Sequence, residues 1–416
     1  MSTVAHIERL VRRFFHRTAA ALWVRPLAIA LLALLVVLSF GGHHVSAQSD
    51  SAPRDASTPV IPTVAPSTTT ELRGTWLTNI DSGVLLSAVQ TAAGVQRLAN
   101  LGINTIYPTV WNWGYSLYPS AVVGDAVGTP VDPHPGLVDR DLLGEILRAG
   151  HDANMSVIPW FEFGLMAPSY SELARRHPDW LARRQDGSQV FMQGRHPRVW
   201  LNPLHPEVQT FFVDLITEVV STYDIDGIQF DDHFSWPVEF GYDAYTIDQY
   251  RRSHAGEYPP DDPHDPGWMA WRANRLTALM EQIVTAVKRN RPDAIMSLSP
   301  NALPFAYDNY LQAWDQWQQA GWIDQLIVQI YRPTVSAFTE ELERVIATNI
   351  QGYSSVGIGI LAGLKNRALD PSLIAGQVAA VRENGLGGVS FFFFESMRDN
   401  AISPLFSAAT NGEQER

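Results

Sequence analysis

The sequence predicts one (β/α)8 barrel of the TIM type, an α/β fold, and three observations lead to that prediction. From Glu71 onward, short apolar runs rich in β-branched and aromatic residues alternate with segments of helical periodicity. The alternation repeats eight times in about 335 residues, which fits a closed barrel, although a doubly wound sheet shares the alternation. The two longest connections, 164–204 and 233–267, both follow predicted strands, as the loops of a barrel's active-site face do.

The eight predicted strands are apolar along most of their length, which is the pattern of strands buried on both faces of a parallel sheet. They cover 73–79, 105–111, 156–163, 227–232, 295–300, 326–332, 357–363 and 388–395. Polar residues are scarce within them, so those at the strand ends stand out.

Seven helices are predicted between these strands from apolar residues at helical spacing. They cover 84–101, 139–154, 206–223, 268–290, 310–321, 338–351 and 371–384. The clearest is 206–223, where apolar residues stand at positions 208, 211, 212, 215, 216, 219 and 220. Asp139 is placed to cap the second helix.

Composition limits the partners and the chemistry. The 416 residues include 30 Lys and Arg against 43 Asp and Glu, a formal charge of -13. An acidic surface repels nucleic acid and anionic membranes, so we predict neither as a partner of the barrel. Because the chain contains no cysteine, disulfides, thiolate chemistry and Cys-based zinc sites are excluded. Composition carries no prediction of oligomeric state.

The first 70 residues have the pattern of an export signal followed by a linker. Five arginines precede the apolar run 27–40 and the small residues 45–47, which predicts a signal peptide, 1–47, cleaved after Ala47. The run is short for a membrane span, which favours cleavage over an uncleaved anchor. Residues 48–70 are rich in Ser, Thr and Pro and predict a disordered linker, leaving 71–407 as the barrel and 408–416 as a tail. Both alternatives predict an exported protein, periplasmic, envelope-bound or secreted, with membrane contact only through an uncleaved N-terminal segment.

Four carboxylates follow predicted strands and are the candidate catalytic groups: Glu162, Asp231, Asp232 and Glu395. The carboxyl ends of the strands form the active site of a barrel. Burying a carboxylate among apolar residues costs free energy, so such a residue normally has a partner or a function. Its pKa is also raised, which suits a general acid. Glycoside hydrolysis needs two carboxyl groups, one to donate a proton and one to attack or to activate water.

Side-chain alternation in strand four separates its aspartates. Asp231 shares a face with Gln229, so one of the two adjacent aspartates points inward and the other points toward a loop or helix. We predict that Asp231 is catalytic, and Asp232 stays open between catalysis and support of the backbone. Asp226 begins the strand, far from the active-site face, and is predicted to be structural.

Aromatic and amide side chains near the strand ends are candidate sugar-binding residues. Aromatic rings stack on sugar faces and amides read hydroxyls, although ordinary core packing also explains many of the aromatic positions. The set comprises Trp76, Asn79, Tyr107, Trp111, Trp160, Asn202, Gln229, His233, Asn301, Gln329 and Tyr331, with Trp113 and Trp236 as further aromatic members.

The sequence lacks the usual motifs of a metal site or a phosphate site. His205 and His233 with Asp231 and Asp232 can be drawn as a metal cluster, but no HExxH or comparable spacing occurs. No Gly-rich phosphate loop follows the first strand, and there is no GxSxG motif. We therefore predict no metal and no cofactor, with a glycan as the substrate.

A series of segments, in order along the chain, resembles the glycosyl hydrolase-like 10 family over roughly residues 71–406. The segments are 73–78 (RGTWLT), 200–203 (WLNP), 223–232 (YDIDGIQFDD), 299–301 (SPN), 310–314 (YLQAW), 329–332 (QIYR) and 388–392 (GVSFF) with Glu395. The resemblance implies a TIM barrel and action on glycans. Some relatives are envelope proteins thought to cleave peptidoglycan glycan strands that lack stem peptides, which implies the same substrate class here.

The strand-four motif also has two more distant resemblances. It resembles that of amylase-type hydrolases, in which the position of Asp231 is the nucleophile. It resembles the chitinase pattern too, in which the position of His233 is the catalytic glutamate. The histidine departs from that pattern, which argues against a substrate-assisted mechanism.

Three functions are compatible with these residues. The first is a retaining or inverting glycosidase, with Asp231 as nucleophile or base and Glu162 or Glu395 as acid. The second is a non-catalytic glycan-binding barrel of the envelope. The third is a hydrolase of another bond, such as a metal-dependent deacetylase. The sequence favours the glycosidase.

Overall fold

The computed structural model describes residues 71–348, 355–364 and 367–406. The predicted signal segment 1–47, the linker 48–70 and the tail 408–416 lie outside the described residues. Among the described residues, no helix is both long and apolar enough to cross a membrane.

Eight parallel strands confirm the predicted barrel. They are β1 (Leu72–Leu77), β2 (Thr105–Pro108), β3 (Ser156–Val157), β4 (Gly227–Asp231), β5 (Ile295–Ser299), β6 (Gln325–Gln329), β7 (Ser355–Leu361) and β8 (Gly388–Phe392). Their order in the sheet is β3-β2-β1-β8-β7-β6-β5-β4, so each strand lies beside its neighbour in the chain and β1 pairs with β8.

Backbone hydrogen bonds close the barrel between β3 and β4. The amide of Gln229 donates to the carbonyl of Pro159 at 2.8 Å, and the amide of Phe161 donates to the carbonyl of Gln229 at 2.9 Å. The predicted strands 105–111 and 156–163 are longer than those observed. Pro108 and Pro159 lack an N–H, which interrupts the regular ladder, and isolated parallel bridges at Trp160 continue it.

The strands are buried because both faces are covered. Every residue of β4 is buried, and Gly227 is required at its start because a Cβ there would lie 2.3 Å from the carbonyl oxygen of Ile295. Gly227 thus allows β4 to pack closely against β5 at its amino end.

Twelve α-helices occur among the described residues. They are α1 (Ala88–Asn100), α2 (Ala121–Val127), α3 (Leu142–Asp152), α4 (Glu172–Arg176), α5 (Pro206–Thr222), α6 (Ala244–Ser253), α7 (Pro266–Asn290), α8 (Phe305–Tyr310), α9 (Trp314–Gln319), α10 (Val335–Ala347), α11 (Pro371–Glu383) and α12 (Asp399–Phe406). Short 3-10 turns cover Pro178–Trp180 and Phe394–Ser396.

Two helix predictions need correction. The predicted helix 310–321 is shorter than expected: only α9, Trp314–Gln319, lies within it. Tyr310 is the last residue of α8, which ends at Leu311 in a left-handed conformation at φ 53°. Asp139 does not cap α3, since it is itself left-handed at φ 59°, and Asp141 caps the helix by accepting from the Gly144 amide at 3.0 Å. The helices α2, α4, α6, α8 and α12 were not predicted.

Several short strands lie outside the barrel. After β3, Met166–Pro168, Phe191–Gln193 and His196–Trp200 form a three-stranded antiparallel sheet. The last two of these form a hairpin, called here the β3 hairpin. Two further hairpins pair Trp111–Asn112 with Tyr115–Ser116 and Gly363–Leu364 with Arg367–Ala368.

Candidate active site

Three of the four predicted catalytic acids lie at the carboxyl ends of β3 and β4. The carboxylates of Asp231 and Asp232 lie beside the imidazole of His233, and Glu162 contacts the same ring through its backbone carbonyl. Glu162 follows β3, and Asp231, Asp232 and His233 end β4 and begin its loop. Nδ1 of His233 lies 2.9 Å from the backbone carbonyl of Glu162, 3.3 Å from the Asp231 carboxylate and 4.0 Å from that of Asp232. The parallel ends of two neighbouring strands therefore build one acidic cluster.

Glu162 is buried and is held by three neutral donors. The hydroxyls of Thr78 and Thr109 each donate to Oε2 at 2.8 Å, and Nδ2 of Asn112 donates to the same oxygen at 3.0 Å. Burial raises the pKa of Glu162, and these hydrogen bonds and the charge of His233 only partly oppose that shift. Glu162 is thus positioned firmly and retains a proton more readily than an exposed glutamate does.

Asp231 is the most enclosed acid of the cluster, with 2% of its surface exposed. Nε1 of Trp160 donates to Oδ2 at 3.1 Å, and the backbone amide of His233 donates to Oδ1 at 2.8 Å. Burial raises the pKa of Asp231 to about 7, while the charge and the hydrogen bonds of His233 act in the opposite direction. A carboxyl group that titrates near neutral pH is suited to accepting or donating a proton during catalysis.

His233 is held as a proton donor. A backbone carbonyl can only accept, so the Nδ1 atom facing the Glu162 carbonyl at 2.9 Å carries a hydrogen. Burial lowers the pKa of His233, but the carboxylates of Asp231, Asp232 and Glu162 outweigh it and raise the pKa to about 10. The imidazolium therefore supplies positive charge to the carboxylates that surround it.

Asp232 is the most accessible acid of the cluster, with 27% of its side chain exposed. Nδ2 of Asn301 donates to its Oδ2 at 3.1 Å, and Nε2 of Gln329 donates to its Oδ1 at 3.1 Å. Burial, followed by the charge of Asp232, raises the pKa values of Tyr310 and Tyr331. Asp232, which the sequence left open, therefore faces the active-site end of the barrel, where two predicted sugar-binding residues hold it.

Glu395 is held by a different part of the chain. It lies in the 3-10 turn after β8, and its Oε1 accepts from the Ser82 hydroxyl at 2.8 Å and the Gly83 amide at 3.2 Å. These contacts tie the end of β8 to the loop after β1. The geometry favours Glu162 over Glu395 as the acid that works with Asp231.

Three predicted sugar-binding residues lie inside the barrel, beneath the cluster. Trp76 and Gln229 are joined by a 2.6 Å hydrogen bond from Nε1 to Oε1, and Tyr107 donates to Oε1 of Gln325 at 2.8 Å. All three are almost completely buried. We therefore assign them to the barrel core, which supports the cluster from below, instead of to the sugar-binding surface.

Trp111 and Asn202 also have structural positions. Trp111 is buried against Phe211 and Phe212 of α5, on the outer side of the sheet. Asn202 is 1% exposed, and its amide nitrogen donates to Asp243 at 3.1 Å and to the Thr246 hydroxyl at 2.8 Å, which fixes the start of α6. Neither the alternation of side chains along a strand nor nearness to a strand end distinguishes such residues from those that face the cleft.

The remaining predicted residues lie near the cluster or its donors. Oδ1 of Asn79 accepts from Nδ2 of Asn112 at 2.5 Å, so it is linked to Glu162 through a donor of that acid. The ring of Trp160 lies 6.3 Å from that of Trp76, at the boundary between the barrel core and the cluster.

Some site residues were missed from the sequence. Thr78 and Thr109 follow β1 and β2, and the rule that polar residues at strand ends mark the site would have found both. Gln312 donates to the backbone carbonyls of Asp231 and Phe234 at 2.9 and 3.0 Å, and Gln193 lies 3.3 Å from Nε2 of His233. The two glutamines come from long connections, whose course the sequence pattern does not specify.

The cluster was tested as a metal site. Asp231, Asp232 and His233 each offer a ligand atom within 4.8 Å of the others. Nδ1 of His233 must donate to a backbone carbonyl, and Asp231 already accepts from an indole and an amide, so these atoms are engaged in hydrogen bonds. The donor set is arranged for proton chemistry, and it carries no metal proposal.

A pH dependence follows from Asp231. If its ionised form is the active one, kcat/KM rises with pH through about 7, because the raised pKa keeps a proton on the carboxyl group below that value. The measurement is kcat/KM from pH 5 to 9 on a soluble glycan fragment. A profile that falls through this range would contradict the role of base and would identify Asp231 as an acid.

Trp160→Phe tests whether the rising limb of the pH profile, the increase of kcat/KM near pH 7, reports the ionisation of Asp231. The change removes the indole donor to Oδ2, which raises the pKa of the carboxyl further, so the limb moves upward by about half to one pH unit. Trp76→Phe is the matched control, since its indole donates to Gln229 instead and the limb should stay in place. An unmoved limb in Trp160→Phe would detach it from Asp231.

Comparisons with known proteins agree with the family resemblance and the fold. The family model "Glycosyl hydrolase-like 10" matches residues 71–378, which confirms the predicted resemblance. Glycosyl hydrolase DigH of Escherichia coli strain K12 is 26% identical over 352 residues, covering 74% of this chain and 75% of that protein. Glycosyl hydrolase YngK of Bacillus subtilis strain 168 is 26% identical over 296 residues, covering 63% and 54%.

Two solved structures share the fold. α-L-Fucosidase isoenzyme 2 from Paenibacillus thiaminolyticus has a TM-score of 0.60 at 18% identity and covers 83% of this chain and 50% of that chain. The PgaB (BpsB) glycoside hydrolase domain from Bordetella bronchiseptica has a TM-score of 0.56 at 13% identity, with coverage of 82% and 98%. At these identities the likeness concerns the fold.

Proposed function

The chain belongs to the glycosyl hydrolase-like 10 family, and from that premise we propose that it cleaves a carbohydrate polymer by two-carboxylate catalysis. The observation that carries the proposal is the acidic cluster at the carboxyl ends of β3 and β4. The carboxylates of Asp231 and Asp232 lie within 4.0 Å of Nδ1 of His233, and the buried carboxyl group of Glu162 interacts electrostatically with the same histidine. Glycosidic bond hydrolysis requires one carboxyl group that gives a proton and a second that attacks or activates water.

Glu162 is the proposed general acid. Its burial favours the protonated form and outweighs the three neutral donors and the charge of His233, which act in the opposite direction. In the reaction it gives that proton to the glycosidic oxygen as the bond to the leaving sugar breaks.

Asp231 is the proposed nucleophile or base. The imidazolium of His233 lies 3.3 Å from its carboxylate and stabilises the ionised form, while Trp160 and the His233 amide fix its orientation. It either attacks the anomeric carbon or takes a proton from the water that attacks it. Asp232, accessible and held by Asn301 and Gln329, accepts hydrogen bonds from sugar hydroxyls in this arrangement.

The proposed substrate is the glycan strand of peptidoglycan, freed of its stem peptides. Two considerations support it: the family resemblance, and the N-terminal sequence, whose arginines and apolar run predict export to the compartment in which that polymer lies. The predicted Ser-, Thr- and Pro-rich linker would let the barrel reach a polymer away from an anchored N-terminus.

The test is digestion of denuded peptidoglycan, intact peptidoglycan, chitin and starch-like glucans by the purified mature chain. New reducing ends from denuded strands, with little or no release from the other three, are expected. Cleavage of chitin or glucan alone would support a glycosidase with a different substrate. Tight binding without new reducing ends would favour a non-catalytic glycan-binding barrel. Activity that needs an added divalent metal would favour a hydrolase of another bond, such as a metal-dependent deacetylase.

A further inference from the structure

The β3 hairpin adds a cationic wall beside the acidic cluster. The Gln193 amide near its tip lies 3.3 Å from Nε2 of His233, so the hairpin reaches the cluster directly. Between residues 190 and 200 the sequence contains Arg195, His196 and Arg198 and no Asp or Glu, although the chain as a whole has a net charge of -13.

Arg198 is the buried member of this wall. It is 5% exposed, and its guanidinium lies 4.8 Å from the ring centroid of Trp113 and 5.0 Å from that of Phe163. Its Nε and Nη1 atoms are buried and have no hydrogen-bond partner. Buried polar groups normally have partners, because an unpaired one loses its hydration without compensation.

The guanidinium is one aromatic ring away from the cluster. The Phe163 ring, against which it packs, lies 6.0 Å from the ring of His233. The negative charge of Glu162 and the phenol of Tyr170 partly offset the burial that lowers the pKa of Arg198, so both groups act on the same guanidinium. Tyr170 is 69% exposed, and its ring is available to a sugar face.

We propose that Arg198 recognises a carboxylate on the substrate sugar beside Glu162, with the Tyr170 ring as the platform against which that sugar stacks. A guanidinium presents two parallel N–H groups that match a carboxylate. The ligand class is therefore a carboxylated glycan, in which the acid is a lactyl ether or a hexuronic acid. The inference rests on the proposed function and deepens it.

This recognition explains selection for strands without stem peptides. In an intact strand the lactyl carboxyl group forms an amide with the peptide, so it carries no charge and its neighbourhood is bulky. Removal of the peptide leaves a free carboxylate, which matches a guanidinium that has two nitrogens without hydrogen-bond partners. Arg198 therefore raises the affinity for the denuded strand and adds no affinity for the intact strand.

The experiment measures the dissociation constants of three oligosaccharides by titration calorimetry, with all variants in an Asp231→Asn background that prevents turnover. The probes are a denuded peptidoglycan fragment, the same fragment with its carboxyl groups converted to methylamides, and a hexuronate oligosaccharide. Arg198→Met is expected to raise the dissociation constant of the carboxylated fragment by about 10- to 100-fold and to leave that of the amidated fragment unchanged. Arg198→Lys keeps the charge, so its dissociation constant for the carboxylated fragment should lie between those of the parent and of Arg198→Met.

Arg275→Met is the matched control, because Arg275 also packs over a tryptophan, at 4.7 Å from the ring of Trp271, but lies on α7. It should bind every probe as the parent does. Thermal melting checks for a structural role. Arg198→Met loses two cation–π contacts and also removes two buried nitrogens without hydrogen-bond partners, so these effects oppose each other and the melting temperature should change little.

The outcomes distinguish this inference from the proposed function. Equal weakening of the carboxylated and amidated fragments, or no weakening of either, would overturn the role of Arg198. If the chain with its native Asp231 fails to cleave denuded strands, the binding pattern still decides the inference, because it does not require turnover. Preference for the hexuronate, with the same dependence on Arg198, would support the carboxylate site and identify its source.

Discussion

Asp231→Asn is expected to lower kcat/KM on the responsive glycan by about 10³- to 10⁴-fold. The amide keeps the shape of the side chain, and its one oxygen can still accept from either Trp160 or the His233 backbone, but it can neither attack nor take a proton. The imidazolium of His233 also loses the nearest charge that raises its pKa. Reducing-end release and glycan binding are measured side by side, and binding should persist.

Asp226→Asn is the matched control on the same strand. Asp226 lies at the opposite end of β4, where Oδ2 accepts from the Val157 amide at 2.7 Å and interacts with Nε2 of His151 at 3.0 Å. Its loss should lower the free energy of unfolding by about 1 kcal/mol and change kcat/KM by no more than about threefold. Full activity in Asp231→Asn would remove Asp231 from the mechanism altogether.

The barrel could be predicted from the sequence because every strand carries a short apolar run and most helices carry apolar residues at helical spacing. The positions of side chains within the barrel could not be read in the same way. Trp76, Tyr107 and Gln229 lie on the inward face of their strands, as the alternation predicts, but one layer below the cluster, where they bond to one another or to Gln325. Alternation gives the face of a strand and not the height of a residue in the barrel.

The adjacent aspartates show a second limit of strand alternation. Regular alternation predicts that Asp231 and Asp232 point in opposite directions, but both carboxylates lie within 4.0 Å of Nδ1 of His233. Regular strand geometry ends at Asp231, and the next residue is free of the ladder, so its side chain can turn to Asn301 and Gln329 on the ends of β5 and β6. Residues just past a strand are therefore the ones whose roles need the structure.

Glu162→Gln is expected to reduce kcat on the natural glycan by about 10²- to 10⁴-fold, with a much smaller effect on an aryl glycoside whose leaving group departs without a proton. The carboxamide oxygen of the substituted side chain can still accept from Thr78, Thr109 and Asn112, so the cluster should keep its geometry. Both substrates are assayed on the same enzyme preparations. An equal loss on both would show that the substitution disturbs more than proton donation.

Glu395→Gln is the companion substitution that separates the two strand-end glutamates. Glu395 accepts from Ser82 and Gly83 and holds the loop after β1, so its replacement should lower stability by about 1 kcal/mol and leave the ratio of the two substrates unchanged. The comparison turns on leaving-group dependence and not on total activity, because only the acid that protonates the leaving oxygen becomes dispensable when that oxygen needs no proton. A substrate ratio that shifts in Glu395→Gln and stays constant in Glu162→Gln would transfer the role of acid to β8.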